Sequence, residues 1–266
     1  MKQRLCVLAA VLAGLCFGAD TDCKPNAPCY SAASIANIAS GEAGALAPNT
    51  LARIIGTGLS FSERGLLAGD AAGGELPILL GDTGVHVLIS GIPAHLFYVG
   101  PTQINFLVPS NLRAVEVDLQ VVRQGVAGPA VRLRLREEAP ALFLKDTQYV
   151  IASHLDWSLV TADAPARPDR WFVLWATGLG RTNPDAQYGQ IPRDAAKLVR
   201  KDEFRVYLDG VPVAPERVNY VGLAPLCAGL YQINVLAPAT ASPDPEVRIG
   251  VGESLSPPGT RIHLRP

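Results

Sequence analysis

Short apolar segments with period-two alternation recur along the chain. Val85, Val87 and Ile89 share one face of such a segment, and residues 115–121 and 130–136 alternate in the same way. This pattern is typical of a β-strand with one buried face and one wet face. Arginines occupy every other position of 130–136, so they predict a solvated face rather than a phosphate-binding stripe.

Turn residues separate the apolar segments. The chain contains 25 glycines and 22 prolines, many of them between short apolar runs, which favours many strands joined by turns. Residues 171–178 differ, since this segment has no polar face and predicts a strand buried on both sides. Trp171 and Trp175 are accordingly predicted to be core residues.

One stretch of the chain occurs twice. The first copy reads GIPA at 91–94, FYVG at 97–100 and QINFLVP at 103–109. The second reads GVPV at 210–213, NYVG at 219–222 and QINVLAP at 232–238. A further match pairs IGTGL at 55–59 with WATGL at 175–179. Two copies are too few for a solenoid, and each is the size of a small β-domain. We therefore predict an all-β protein of two tandem immunoglobulin-like β-sandwiches related by the repeat.

Strand and turn chemistry explains the repeated residues without a ligand. They are Gly91, Tyr98, Gln103 and Asn105 in the first copy and Gly210, Tyr220, Gln232 and Asn234 in the second. Each glycine is expected in a turn with positive φ, and the proline two residues later, Pro93 or Pro212, marks an edge strand. Each Gln and Asn face one side of a strand, and each Asn is expected to bond a neighbouring loop backbone. Each tyrosine is expected to anchor a loop through its hydroxyl, as in a tyrosine corner.

The repeated segments also carry a family resemblance. LARIIGTGLS at 51–60, WFVLWATGLGRTNP at 171–184 and GLYQINVLAP at 229–238 resemble the Solibacter-type C-terminal domain family. The halves of that family are similar to IPT/TIG immunoglobulin-like domains, and the resemblance covers roughly residues 31–264. It implies the fold and a place among bacterial exported proteins, but no activity, because the family has none established.

The first residues predict export. Lys2 and Arg4 precede an apolar run at 5–17 and the small pair Gly18-Ala19, which indicates a signal peptide at 1–19. A lipoprotein signal ending at Cys16 is the competing interpretation. No later stretch approaches the ~20 apolar residues of a membrane span. We expect a secreted, periplasmic or cell-surface protein with a leader at 20–30, a first sandwich at 31–138 and a second at 139–266.

Cysteines in the leader suit an oxidising compartment. Cys23 and Cys29 flank the turn-rich KPNAP, which predicts a small disulfide loop. A metal site is the alternative, and a poor one without a neighbouring His or third Cys. Cys227 is left over and is interpreted as a buried or free thiol. No cofactor or metal is predicted.

The search for catalytic motifs is mostly negative. The sequence has no nucleophile elbow, dinucleotide fingerprint, phosphate-binding loop or His-Glu-x-x-His. Ser153, His154 and Asp156 match a catalytic triad in composition alone, since adjacent strand residues point opposite ways. His86 and His95 flank a turn and are interpreted as exposed strand residues rather than a metal pair. A net charge of −1 gives no basic excess for a nucleic-acid partner.

Binding is the leading hypothesis for function. Trp157, between Asp156 and Ser158, is the candidate for an exposed residue that stacks on a sugar. Loops 61–75 and 181–203 are the longest irregular segments and natural recognition surfaces, and the charged run 193–203 is interpreted as solvated. We predict a non-enzymatic protein for adhesion or for glycan or protein binding at the cell envelope. A structural or anchoring module is the alternative, and a hydrolase is less favoured.

Overall fold

Two immunoglobulin-like β-sandwiches lie in tandem in the structure, a computed structural model that describes residues 23–112, 115–240 and 242–265. The fold is all-β, with 41% of residues in strands and 5% in helices, which confirms the predicted class. The predicted signal peptide at 1–19 and the first residues of the leader lie outside the described residues. Among the described residues, no helix combines the length and apolar character needed to cross a membrane.

The first sandwich is built from two antiparallel sheets. Its strands are β1 (Ile35–Asn37), β2 (Leu51–Ile55), β3 (Arg64–Gly65), β4 (Val85–Ile89), β5 (Ile92–Pro93), β6 (His95–Val99), β7 (Gln103–Leu107), β8 (Glu116–Arg123), β9 (Val126–Ala127) and β10 (Val131–Arg134). One sheet has the order β1-β2-β7-β6-β3, and the other has the order β10-β8-β4-β5 with β9 paired to β8. The alternating side chains of both sheets fill a core drawn from residues 30–135. On the wet face, Arg132 pairs with Asp118 at 2.7 Å, as expected for a solvated arginine.

The second sandwich repeats this plan. Its strands are β11 (Ala141–Leu142), β12 (Ala152–His154), β13 (Trp171–Thr177), β14 (Thr182–Asn183), β15 (Ala196–Leu198), β16 (Phe204–Leu208), β17 (Val211–Pro212), β18 (Val218–Leu223), β19 (Tyr231–Leu236), β20 (Val247–Val251) and β21 (Ser254–Leu255). The larger sheet has the order β11-β13-β19-β18-β15-β14 with β12 paired to β13, and the smaller has the order β17-β16-β20-β21. Its core is drawn from residues 142–264, so the predicted seam at 138/139 falls between the two cores.

Short 3₁₀ turns interrupt the strands. They are Ala32–Ser34, Ala68–Ala71, Lys201–Glu203 and Pro215–Arg217. The charged run 193–203 contains β15 and one such turn, and its charged side chains are exposed or half-buried, as predicted for a solvated run. Within it, Arg200 donates to the buried Glu138 at 2.7 Å, which ties the run to the chain between the sandwiches.

The repeated turns take the backbone that their sequence requires. Ser90-Gly91 and Asp209-Gly210 have positive φ at both positions, between 49° and 79°. Two such residues form the tight hairpin turn whose twist matches that of the flanking strands. Pro93 and Pro212 lie on the edge strands β5 and β17, as predicted.

The repeated Gln and Asn side chains bond each other. Gln103 Nε2 donates to Asn105 Oδ1 at 2.8 Å, and Gln232 Nε2 donates to Asn234 Oδ1 at the same distance. The prediction that each Asn bonds a loop backbone is therefore wrong. The partner is instead the side chain two residues earlier on the same face of the strand.

A β-bulge places each repeated tyrosine opposite the repeated asparagine. The register shifts between Leu96 and Tyr98 in β6, and an equivalent shift precedes Tyr220 in β18. Tyr98 bonds Glu63, and burial together with this bond raises the pKa of Tyr98. Because Glu63 lies in the loop between β2 and β3, the predicted anchoring of a loop is confirmed for Tyr98. Tyr220 instead donates to Leu223 O in its own strand at 2.6 Å.

The two sandwiches pack closely against each other. A third apolar cluster joins them, and its buried members are Ala39, Leu51, Leu76, Leu107, Ala141, Phe143, Ala224, Ala228 and Leu230. The backbone at Leu76 donates to Gly189 O and Ile191 donates to Gly74 O, both at 2.8 Å. The end of loop 61–75 and the middle of loop 181–203 are therefore part of the joint, where the prediction was a free recognition surface.

The cysteines that the structure describes are all disulfide-bonded. Cys23 and Cys29 form the predicted disulfide, with their Cα atoms 5.2 Å apart. Cys227 is disulfide-bonded as well, so the interpretation as a buried or free thiol is wrong.

Candidate functional site

A three-residue hairpin loop carries the exposed tryptophan. Strand β12 ends at His154, the chain turns through Leu155–Trp157, and Leu159 returns to bridge Ser153. Trp157 N donates to His154 O at 3.0 Å, which closes the turn. Asp156 Oδ1 accepts hydrogen bonds from Ser158 N at 3.0 Å and Ser158 Oγ at 2.6 Å, and these bonds lower the pKa of Asp156.

Trp157 takes the left-handed backbone position that closes this type of loop. Its φ is 68°, where Gly or Asn is the usual choice. A side chain with a Cβ pays about 1–2 kcal/mol for that conformation. Trp157 is nonetheless 58% exposed, so burial of the side chain does not offset the strain. Strain of this kind clusters at functional sites, which makes Trp157 the first residue of a candidate site.

Trp175 lies beneath this hairpin on the outer face of the larger sheet. The ring centroids of Trp157 and Trp175 are 5.9 Å apart, at an angle of 35°. The Trp175 indole N–H donates to Ser153 Oγ at 3.2 Å, which fixes the plane of the ring.

The prediction that Trp171 and Trp175 are core residues is wrong. Phe172, Leu174 and Ala176 are the members of β13 that fill the core, and both tryptophans are half-buried on the opposite face. The strand lacks a polar face because the cluster between the sandwiches packs against Trp175.

A row of residues crosses the outer face from Trp175. Successive strand partners give the sequence Trp175, Gln232, Gly222, Lys197 and Asn183. Paired residues share a face, and five neighbouring strands span about 19 Å at ~4.8 Å per step. We call this set the outer row.

An aromatic ring lies at the middle of the outer row. The Tyr220 hydroxyl reaches Leu223 O, so the ring runs along β18 past Gly222, which has no side chain. Burial raises the pKa of Tyr220, and the phenol stays neutral at physiological pH.

We call the paired rings of Trp157 and Trp175 the aromatic floor, and the first sandwich lacks it. Ile55 pairs with Gln103 where Trp175 pairs with Gln232, and Arg53 pairs with Asn105 where Val173 pairs with Asn234. The amide pair and the tyrosine are common to both sandwiches, whereas the two tryptophans belong to the second alone. The repeated residues therefore supply a frame, and the residues that differ supply the candidate site.

The triad candidates do not meet. Ser153 Oγ is engaged by Trp175, His154 Nε2 lies 3.1 Å from Ala164 O, and Asp156 is engaged by Ser158. Each side chain serves the hairpin that presents Trp157.

The two histidines flanking the first hairpin turn also lie apart. His86 belongs to β4 in one sheet and His95 to β6 in the other. His95 is buried against Tyr188, with ring centroids 4.5 Å apart, so its interpretation as an exposed strand residue is wrong, and burial lowers its pKa. In the part of the chain that the structure describes, no three His, Cys, Asp or Glu side chains gather as metal ligands.

Comparison with known proteins gives similarities to solved structures alone. No family model matches the chain, and no curated protein matches it. The resemblance to the Solibacter-type family therefore stays a prediction.

Surface glycan-binding proteins and tandem immunoglobulin repeats are among the similar structures. SGBP-B of the Bacteroides ovatus mixed-linkage glucan utilization locus, in complex with a mixed-linkage heptasaccharide, has a TM-score of 0.35 at 8% identity, over 83% of this chain and 42% of that one. The surface glycan-binding protein PbSGBP-B from Prevotella bryantii has a TM-score of 0.26 at 8% identity, over 82% of this chain and 36% of that one. The tandem Ig repeats of Dlar have a TM-score of 0.22 at 10% identity, over 83% and 91%. The chain thus spans less than half the length of the two glycan-binding proteins.

Proposed function

We propose that this chain is an exported, non-enzymatic protein that binds glycan chains at the cell envelope through Trp157 and the outer row. The observation that carries the proposal is the exposed Trp157 ring, held at a strained backbone position over Trp175. The predicted signal peptide and the Cys23–Cys29 disulfide support a location outside the cytoplasm.

The chemistry of the face suits a sugar. An indole presents a flat apolar face for the C–H groups of a pyranose ring and has little conformational freedom to lose. Gln232 lies beside Trp175, and its amide nitrogen donates a hydrogen bond to Asn234 Oδ1. The Gln232 carbonyl oxygen and the Asn234 amide nitrogen are left for the hydroxyl groups of a ligand.

Trp157→Gly tests the proposal, because glycine keeps the left-handed turn while it removes the ring. We expect affinity for a retained polysaccharide to fall about tenfold or more, the cost of one aromatic contact. The free energy of unfolding is expected to stay within about 1 kcal/mol of wild type, since relief of strain opposes the lost Trp–Trp contact. Affinity gel electrophoresis on a polysaccharide panel and urea unfolding measure the two effects.

Val211→Ala is the matched control. Val211 is 66% exposed on β17 of the smaller sheet, away from the outer row, so its variant should bind like wild type. Unchanged binding by Trp157→Gly would overturn the assigned site. Turnover of a hydrolase substrate panel by purified protein would overturn the non-enzymatic role.

The alternative, an anchoring module for another protein, has an observation of its own. Leu155 and Leu159 flank Trp157 and are 56% and 53% exposed, which gives the hairpin an apolar tip that suits a protein partner. A partner crosslinked in whole cells and lost with Trp157→Gly, together with no polysaccharide retained, would favour anchoring.

A further inference from the structure

A groove with exposed cations lies at the far end of the outer row. Its volume is about 570 Å³, and it is lined by Arg181, Thr182, Asn183, Asp185, Lys197, Leu198, Val199 and Lys201. Lys197 and Asn183 are the last two members of the outer row, so the groove continues the same face. We call it the basic groove.

Two cations of the basic groove have no acidic partner in the part of the chain that the structure describes. These are Lys197 and Lys201, whereas Arg181 is paired with Asp185 at 2.6 Å. Glu203, two residues after Lys201, is paired with Arg200 at 2.5 Å. The lining of the basic groove thus carries three cations against one carboxylate, on a chain whose net charge is −1.

The tryptophan pair and the basic groove lie at a separation that one extended ligand can span. Trp175 and Lys197 are three strands apart along the outer row, or about 14 Å at the usual strand spacing. Between them lie the Gln232 amide and the Tyr220 ring. A chain laid across the strands would therefore meet aromatic, amide and cationic groups in turn.

We infer that the ligand is an acidic polysaccharide, with a sugar ring stacked on Trp157 and Trp175 and its anionic groups facing Lys197 and Lys201. This inference rests on the proposed function and adds the chemical class of the ligand. Lysine ammonium groups attract carboxylate or sulfate as point charges, and salt screens such exposed pairs.

The test compares acidic and neutral polysaccharides. Polygalacturonate supplies carboxylates and heparin supplies sulfates, while xylan, dextran and mixed-linkage glucan carry no charge. We expect retention of an acidic chain at low salt, with affinity reduced about tenfold or more in a Lys197→Gln, Lys201→Gln double variant. Raising the salt concentration should also reduce the affinity of the wild type for the acidic chain, and it should reduce the affinity of the double variant less.

Two controls separate the outcomes. Lys145→Gln removes an exposed charge from the turn between β11 and β12 and should leave affinity unchanged. Trp157→Gly should weaken the same acidic chain, because the ring and the lysines act on one ligand.

Different failures overturn different statements. Retention of neutral chains that depends on Trp157 and not on the lysines would overturn the acidic ligand and keep the glycan-binding role. Equal losses for Lys145→Gln and the double variant would indicate unspecific charge attraction and would also overturn the inference. Retention of no polysaccharide would overturn the proposed function itself.

Discussion

Replacing Thr177 with valine is expected to lower the free energy of unfolding by about 2–5 kcal/mol. Thr177 is fully buried, and its Oγ1 accepts a hydrogen bond from Leu51 N at 2.9 Å and donates one to Gly229 O at 2.8 Å. Valine has a similar shape but leaves a buried donor and a buried acceptor unpaired, at roughly 1–3 kcal/mol each. Urea unfolding measures the loss.

The repeat provides the control for this change. Thr57 holds the equivalent position in the first sandwich but is exposed, and its backbone pairs with Cys29. Thr57→Val should change the free energy of unfolding by no more than about 0.5 kcal/mol. Equal losses of unfolding free energy for Thr57→Val and Thr177→Val would contradict a role for the Thr177 hydroxyl in joining the two sandwiches.

Gly189→Ala should be nearly as damaging. Gly189 has a φ of +77°, and a Cβ there would lie 2.0 Å from Nε2 of the buried His95. The left-handed backbone costs an alanine about 1–2 kcal/mol, and forcing the His95 ring aside adds about 1–3 kcal/mol. Urea unfolding should therefore show a loss of about 2–5 kcal/mol.

Gly125→Ala measures the backbone part of that loss, so the steric part is the difference between the two variants. Gly125 has a φ of +80° with nothing within 4 Å of the added Cβ, so it carries the backbone cost alone. Its variant should lose about 1–2 kcal/mol. If the two variants lost the same amount, the close packing of Gly189 on His95 would be refuted.

The Thr177 substitution bears on the candidate site as well as on stability. Thr177 and Trp175 lie two residues apart on the same face of β13, so the joint and the aromatic floor share a strand. Packing of the first sandwich against the second thus helps to hold the outer row in place.

The frame of each sandwich was predictable because its signals are local. Ser90-Gly91 and Asp209-Gly210 encode their turns in adjacent residues, and Ile104 and Ile233 point inward because side chains alternate along a strand. The exposure of Trp157 was also predictable, since this residue lies between two polar residues.

The candidate site itself depended on contacts that sequence alone does not show. Residues 171–178 are correctly predicted to be buried on both sides, but hydrophobicity does not distinguish the core from the cluster between the sandwiches, which packs against Trp175. Lys197 joins the outer row only through the pairing of β15 with β18. The left-handed backbone of Trp157 was equally hidden, because that position usually takes Gly or Asn.

Hydroxyl-radical footprinting with a retained polysaccharide tests the central claim most directly. Bound glycan should protect Trp157 from oxidation, because its ring is the exposed part of the floor, while Val211 on the smaller sheet should react as in the free protein. Oxidation of Trp157 at the same rate with and without bound glycan would contradict the account.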